Sequence, residues 1–183
     1  LTEDQLIGAV QALFDHHDAL RLRLVVGAGE SIGAWSLEIA PPGAIRAAGC
    51  VCRIDVSGLD ELAAGACRVE QAQAAQGRLG PPAGVMVQGV WFDAGAEQAG
   101  RLLLTIHHLA VDAVSWRILV PDLAADWGAI AAGQAPALEP CGTSFRRWAQ
   151  RLMAAAREPA RLEQLSCWKA TLSGPDQSIT HQP

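Results

Sequence analysis

The residues whose types and spacing could do chemistry lie in one segment, His107-His108-Leu109-Ala110-Val111-Asp112. Two adjacent imidazoles stand there, with a carboxylate four residues after the second. Histidine is the natural general base near neutral pH, because its ordinary pKa is about 6.5. A positioned base typically contributes about 10²–10⁴-fold to a rate. A short Asp nearby can stiffen the loop or hold an ion pair that fixes its shape. Leu102, Leu104 and Ile106 alternate just before the pair and predict a strand over 101–108. Adjacent side chains of a strand point to opposite faces. His107 then shares a face with Leu103 and Thr105, and His108 shares one with Leu104 and Ile106. The two are expected to divide the work, one reactive and one structural.

Blander readings stand beside this one. A histidine at a strand end is more often a structural residue than a catalyst. A zinc site needs three or four ligands, and His108 with Asp112 supplies two. His16 and His17 are the other adjacent pair, but no spacing signature links the two pairs, so no metal ligands are expected. Ser115 lacks a G-x-S-x-G setting, which argues against a serine hydrolase.

The elements that must position this segment follow from periodicity. Thr2-x-x-Gln5 resembles a capping box, and Leu6, Val10, Leu13, Phe14 and His17 predict an amphipathic helix over 3–17. Strands are predicted over 20–26, 34–39, 51–56 and 85–92, with a turn at 27–33. Ser57-x-x-Asp60 is expected to open a helix over about 59–76. After residue 112 the period becomes 3.6, and Trp116, Leu119, Val120, Leu123, Trp127 and Ile130 share one helical face. A further helix is expected to bury Phe145, Trp148, Ala149 and Leu152. Glu158-Pro159 then opens a last helix with Leu162, Leu165, Trp168 and Leu172. The tail 176–183 shows no pattern. The order predicts an α/β (α+β) two-layer sandwich.

Composition excludes several classes. The chain of 183 residues is 50% apolar and 18% charged, which argues against a disordered segment. A net charge of -5 offers no basic field to a nucleic acid. No run approaches the 18 or more apolar residues of a membrane helix. Leu1-Thr2-Glu3-Asp4 is acidic where a signal peptide is basic, and the missing initial Met suggests a piece of a longer chain. Five cysteines without C-x-x-C spacing read as reduced thiols, hence a cytoplasmic setting.

Extended through Ala113-Val114-Ser115-Trp116-Arg117-Ile118-Leu119, the histidine segment resembles the HHxxxDG signature of the condensation-domain superfamily of nonribosomal peptide synthetases. His17-Asp18-Ala19-Leu20-Arg21 resembles the (R/H)HxALR stretch of these domains. Thr143 to Ala149 resembles the segment after their active-site helix, and Cys167-Trp168-Lys169 to Gly174-Pro175 the stretch that closes their first half. The resemblance implies the fold of chloramphenicol acetyltransferase, N-terminal half only. Residues 1–175 would be the N-terminal subdomain, truncated at both ends, and 176–183 a tail or the start of a linker to the missing C-terminal half. The VSWRIL run at 114–119 is most like epimerization domains. Ala113 stands where the family usually has Gly, and would be strained at positive φ. Pro121 stands where Glu is common, so the helix would kink or begin there.

The resemblance further implies the chemistry. An upstream peptidyl carrier domain presents an aminoacyl or peptidyl thioester on its phosphopantetheine arm, and no cofactor binds directly. His108 is the catalytic acid/base that removes and returns the α-proton, with a Glu from the absent half as its counterpart. His107, Asp112, Ser115 and Trp116 are motif residues that shape the site, and a buried Asp112 would pair with Arg21, with Arg23 or with an Arg from the absent half. The alternatives are peptide-bond formation by a condensation domain and an inactive docking half-domain. These 183 residues alone are expected to lack activity.

Overall fold

A computed structural model describes residues 2–27 and 35–174. The chain divides into two compact units, Leu1–Cys141 and Gly142–Pro183. The expected turn at 27–33 lies almost wholly outside the described residues, as do Ala34 and the tail 176–183.

The first unit opens with α1, Glu3–His16. The capping box forms: the Gln5 N–H donates to Thr2 Oγ1 at 3.2 Å, and the Thr2 N–H donates to Gln5 Oε1 at 3.0 Å. Two otherwise orphaned N–H groups are satisfied in this way. Leu6, Ala9, Val10, Leu13 and Phe14 form the buried stripe of α1. A short 3₁₀ turn, Asp18–Arg21, replaces the expected start of the first strand. Its Arg21 is buried, and its guanidinium donates to the carbonyls of Phe14, Asp15 and Ala40 and to Asp18 Oδ1. Two of those acceptors belong to the last turn of α1, where helix carbonyls lack intrahelical partners.

Strands β1 (Leu22–Val26) and β2 (Trp35–Ile39) pair antiparallel, Leu22 opposite Ile39. A separate three-stranded sheet holds β3 (Val51–Asp55), β4 (Val87–Asp93) and β5 (Arg101–Ile106), with β4 central. β3 runs parallel to β4, and β5 antiparallel to it. The parallel pair requires a crossover, supplied by α2, Glu61–Arg78, which Asp60 caps by accepting the Ala63 N–H at 2.8 Å. β4 is buried from Val87 to Phe92. Val87 and Trp91 join the core with α1, while Val90 and Phe92 pack with Ala75 of α2 and Val56. Cys52, Ile54 and Val56 share that second core, as their parity predicts.

Helix α3, Trp116–Ala131, packs on α1. The approach is close at Gly8, where a Cβ would meet Ile130 Cδ1 at 3.2 Å. Pro121 lies inside α3 and the helix continues through it. The inward face is Leu119, Leu123 and Asp126, whereas Val120 and Trp127 are exposed. Leu119 and Leu123 of the expected face are thus inward, while Val120 and Trp127 of that face are not, and the buried side of α3 is completed by Asp126.

The second unit contains α4 (Phe145–Ala155), α5 (Pro159–Leu162) and α6 (Gln164–Leu172). The single helix expected after Pro159 is broken at Glu163. Phe145, Trp148 and Leu152, expected to be buried, are exposed. All five cysteines are free thiols. Among the described residues no helix is long and apolar enough to cross a membrane.

Candidate active-site loop and its relatives

β5 ends at Ile106, so His107 and His108 lie beyond the strand. Strand parity consequently does not separate them; the turn at 108–110 does. The His107 N–H donates to the carbonyl of Met86, at the edge of β4, at 2.8 Å. The His107 carbonyl accepts the Ala110 N–H at 2.9 Å, and Nδ1 accepts the Leu109 N–H at 3.1 Å. An accepting Nδ1 leaves the proton of a neutral ring on Nε2. His107 is half-buried and fastened on three sides, while His108, at the head of the turn, is exposed.

Ala110 and Val111 are buried and anchor the loop from below. Asp112 then locks it to α3. Its Oδ1 accepts the Ser115 N–H at 2.8 Å and the Ser115 hydroxyl at 2.7 Å, and the Asp112 N–H donates to Ser115 Oγ at 3.1 Å. This reciprocal pair has the logic of a capping box set one turn ahead of Trp116. Those two Ser115 donors hold the Asp112 carboxyl below the usual carboxylate range. Asp112 is exposed, so the expected buried ion pair with Arg21 or Arg23 does not form; Arg21 is bound to Asp18 and Arg23 is exposed. Ala113 is not at positive φ, so the strain expected there is absent.

A cavity of about 100 Å³ adjoins this loop, lined by His17, Leu20, Ala110, Ser115 and Leu119 among others. A larger cleft of about 760 Å³ lies elsewhere, against Arg53, Trp91, Asp93 and Trp127. None of His107, His108 and Asp112 lines either. Near the end of α1 stand His16 and His17, the second histidine pair of the sequence, with Asp122, Asp126 and Cys141, which sequence reasoning did not single out. His17 Nε2 meets Asp122 Oδ2 at 2.9 Å, and burial pushes the His17 imidazole below its ordinary pKa despite that partner. Cys141 Sγ lies 3.5 Å from His16 Nε2. Asp126 is only 1% exposed, and neither of its carboxylate oxygens has a hydrogen-bond partner. Burial raises its pKa, with the neighbouring Asp122 adding to the effect.

The family profile described as Condensation domain matches residues 1–182. The chain belongs to the condensation-domain family. Its relatives include two proteins of the linear gramicidin synthase of Brevibacillus parabrevis. One is 37% identical over 161 residues, covering 87% of this chain and 2% of that protein. The other is 36% identical over 169 residues, covering 92% of this chain and 3% of that protein. The chain thus spans a small fraction of these large synthase proteins. Among solved structures it is similar to the epimerization domain from the third module of tyrocidine synthetase B, with a TM-score of 0.81 at 24% identity. That match covers 97% of this chain and 38% of the other, the share expected of one half of such a domain. A condensation domain that mediates chain release from the enacyloxin polyketide synthase matches at a TM-score of 0.70 and 20% identity, covering 94% of this chain and 31% of that one. The mixed fold is that of condensation-type, chloramphenicol acetyltransferase-like domains.

Proposed function

We propose that this chain is part of an epimerization domain of a nonribosomal peptide synthetase, and that His108 is one of its two acid/base groups. The observation that carries the reading is the run Val114-Ser115-Trp116-Arg117-Ile118-Leu119 directly after Asp112 and Ala113, together with an exposed His108 on a loop fastened at both sides. The substrate is an aminoacyl or peptidyl thioester delivered by an upstream carrier domain. The His108 imidazole takes the α-proton, the electron pair moves into the thioester carbonyl as an enolate, and a proton returned to the opposite face inverts the centre. His107 holds the loop to Met86, and Asp112 with Ser115 joins it to α3. The counterpart acid and the remaining tunnel wall belong to the other half of the domain.

The test is deuterium wash-in at the α-position of a carrier-bound thioester, in the full-length protein. His108→Ala should lower exchange by about 10²–10⁴-fold, with the product no longer a mixture of epimers. His107→Ala should lower stability before it lowers exchange. Peptide extension without exchange would replace the reading with condensation, which the similarity to condensation domains also supports. Normal exchange in a folded His108→Ala protein would overturn the assignment.

A further inference from the structure

We propose that His16, His17 and Cys141 form a zinc site at the C-terminal end of α1, with Asp122 and Asp126 as its outer carboxylates. One ligand atom from each of the three residues lies within 4.8 Å of the others, which gathers three zinc-type donors into one cluster. The Cys141 Sγ to His16 Nε2 separation is 3.5 Å. Zinc–nitrogen bonds of about 2.0–2.1 Å and a zinc–sulfur bond of about 2.3 Å, at a tetrahedral angle, set N and S about 3.5 Å apart. Sequence spacing gave no hint of this set, because Cys141 is far from the histidine pair and the fold alone brings it there.

The surroundings point the same way. Ligating histidines usually give their second nitrogen to a carboxylate, which fixes the ring and its tautomer. Asp122 meets His17 Nε2 at 2.9 Å, and with the proton of a neutral ring on Nε2 the Nδ1 lone pair is the one available to a metal. Asp126 is the stronger sign. A buried carboxylate with neither oxygen partnered is costly. Asp126 is in that position, and its charge acts on both His16 and His17. The imidazoles of His16 and His17 lower the cost of the Asp126 charge only when protonated, whereas a divalent cation held by the two neutral rings would keep a positive charge beside it. Two nitrogens and one thiolate suit zinc, with the fourth position left to water. The ion would staple the end of α1 and Asp122 of α3 to the segment at Cys141, beside the cavity that adjoins the 107–115 loop.

The experiment is zinc binding by the full-length protein after chelator treatment, read by competition with a chromophoric chelator and by cobalt substitution. The expected result is one zinc equivalent fewer per chain in Cys141→Ser than in wild type. A thiolate-to-cobalt charge-transfer band should be lost in Cys141→Ser and kept in Cys167→Ser. Asp122→Asn should weaken zinc affinity about 10–100-fold while leaving the stoichiometry intact. Because Cys141 is exposed, Cys141→Ser should keep the zinc-free unfolding midpoint and abolish its rise on adding zinc. Equal stoichiometry and equal cobalt spectra in wild type and Cys141→Ser would overturn the proposal, leaving a thiol–imidazole hydrogen bond only.

Discussion

Residues 2–141 and 142–174 both carry helices with an apolar stripe and reach opposite outcomes. In the first unit α1 hides five residues, and β4 is buried along most of its length. In the second, α4 has as clear a stripe, yet Phe145, Trp148 and Leu152 are each at least half exposed, and no residue of α4, α5 or α6 is buried. The helices are 11, 4 and 9 residues long, below the ~12–15 at which isolated helices become even marginal in water. Periodicity therefore reports that a face is apolar; within residues 142–174 by themselves that face meets no buried residue.

That contrast can be broken by substitution. Phe14→Ala, in the first core, should cost about 3–5 kcal/mol, read as a shift of the urea midpoint. Arg21→Met should cost about 2–4 kcal/mol, because the carbonyls of Phe14, Asp15 and Ala40 lose a buried donor. Trp148→Ala should stay within about 0.5 kcal/mol, as surface changes usually do; a loss as large as that of Phe14→Ala would erase the distinction between the units. Hydrogen exchange sharpens it further, with β4 amides exchanging only on global opening and α4 amides by local fraying.

The smallest effect concerns the loop. The folded Asp112 carboxyl binds protons less readily than in the unfolded chain, whose value is about 3.9. Its stabilisation is therefore complete above that value and is lost as pH falls through the lower folded one. Ser115→Ala removes the hydroxyl donor and moves the folded pKa back up. The stability gap between wild type and variant should be flat above about pH 5 and close below it, measured by denaturation across an acid series.

Local signals were legible where a pattern and its partner sit together. Thr2 with Gln5 and the alternation of Leu102, Leu104 and Ile106 give the elements they suggest, and the helix expected after Ser57 forms, but its cap is Asp60 while Ser57 bonds Asp55. The end of β5 was not legible: His107 still bonds to the Met86 carbonyl, the chain then turns at 108–110, and nothing in the alternation over 101–108 marks that turn. Asp126 was missed because a carboxylate on an apolar face reads as the outward side. Asp112 gave the opposite error: its motif position suggested a buried ion, and the nearby Ser115 satisfied it at the surface. Cys141 has no local pattern at all.

The sheet order also carries a consequence for how the chain assembles. β4 and β5 are joined by a short turn between Phe92 and Arg101, so their antiparallel ladder closes at little loop cost. β3 can meet β4 only after the 18 residues of α2 have been made and folded back. On a ribosome the strand synthesised first is thus the one kept waiting. Until Val87–Asp93 emerges, Val51–Asp55 has no neighbour on the side that β4 will take, and its apolar residues Val51, Cys52 and Ile54 stand open to any other strand nearby. Translation speed across α2 sets how long that interval lasts.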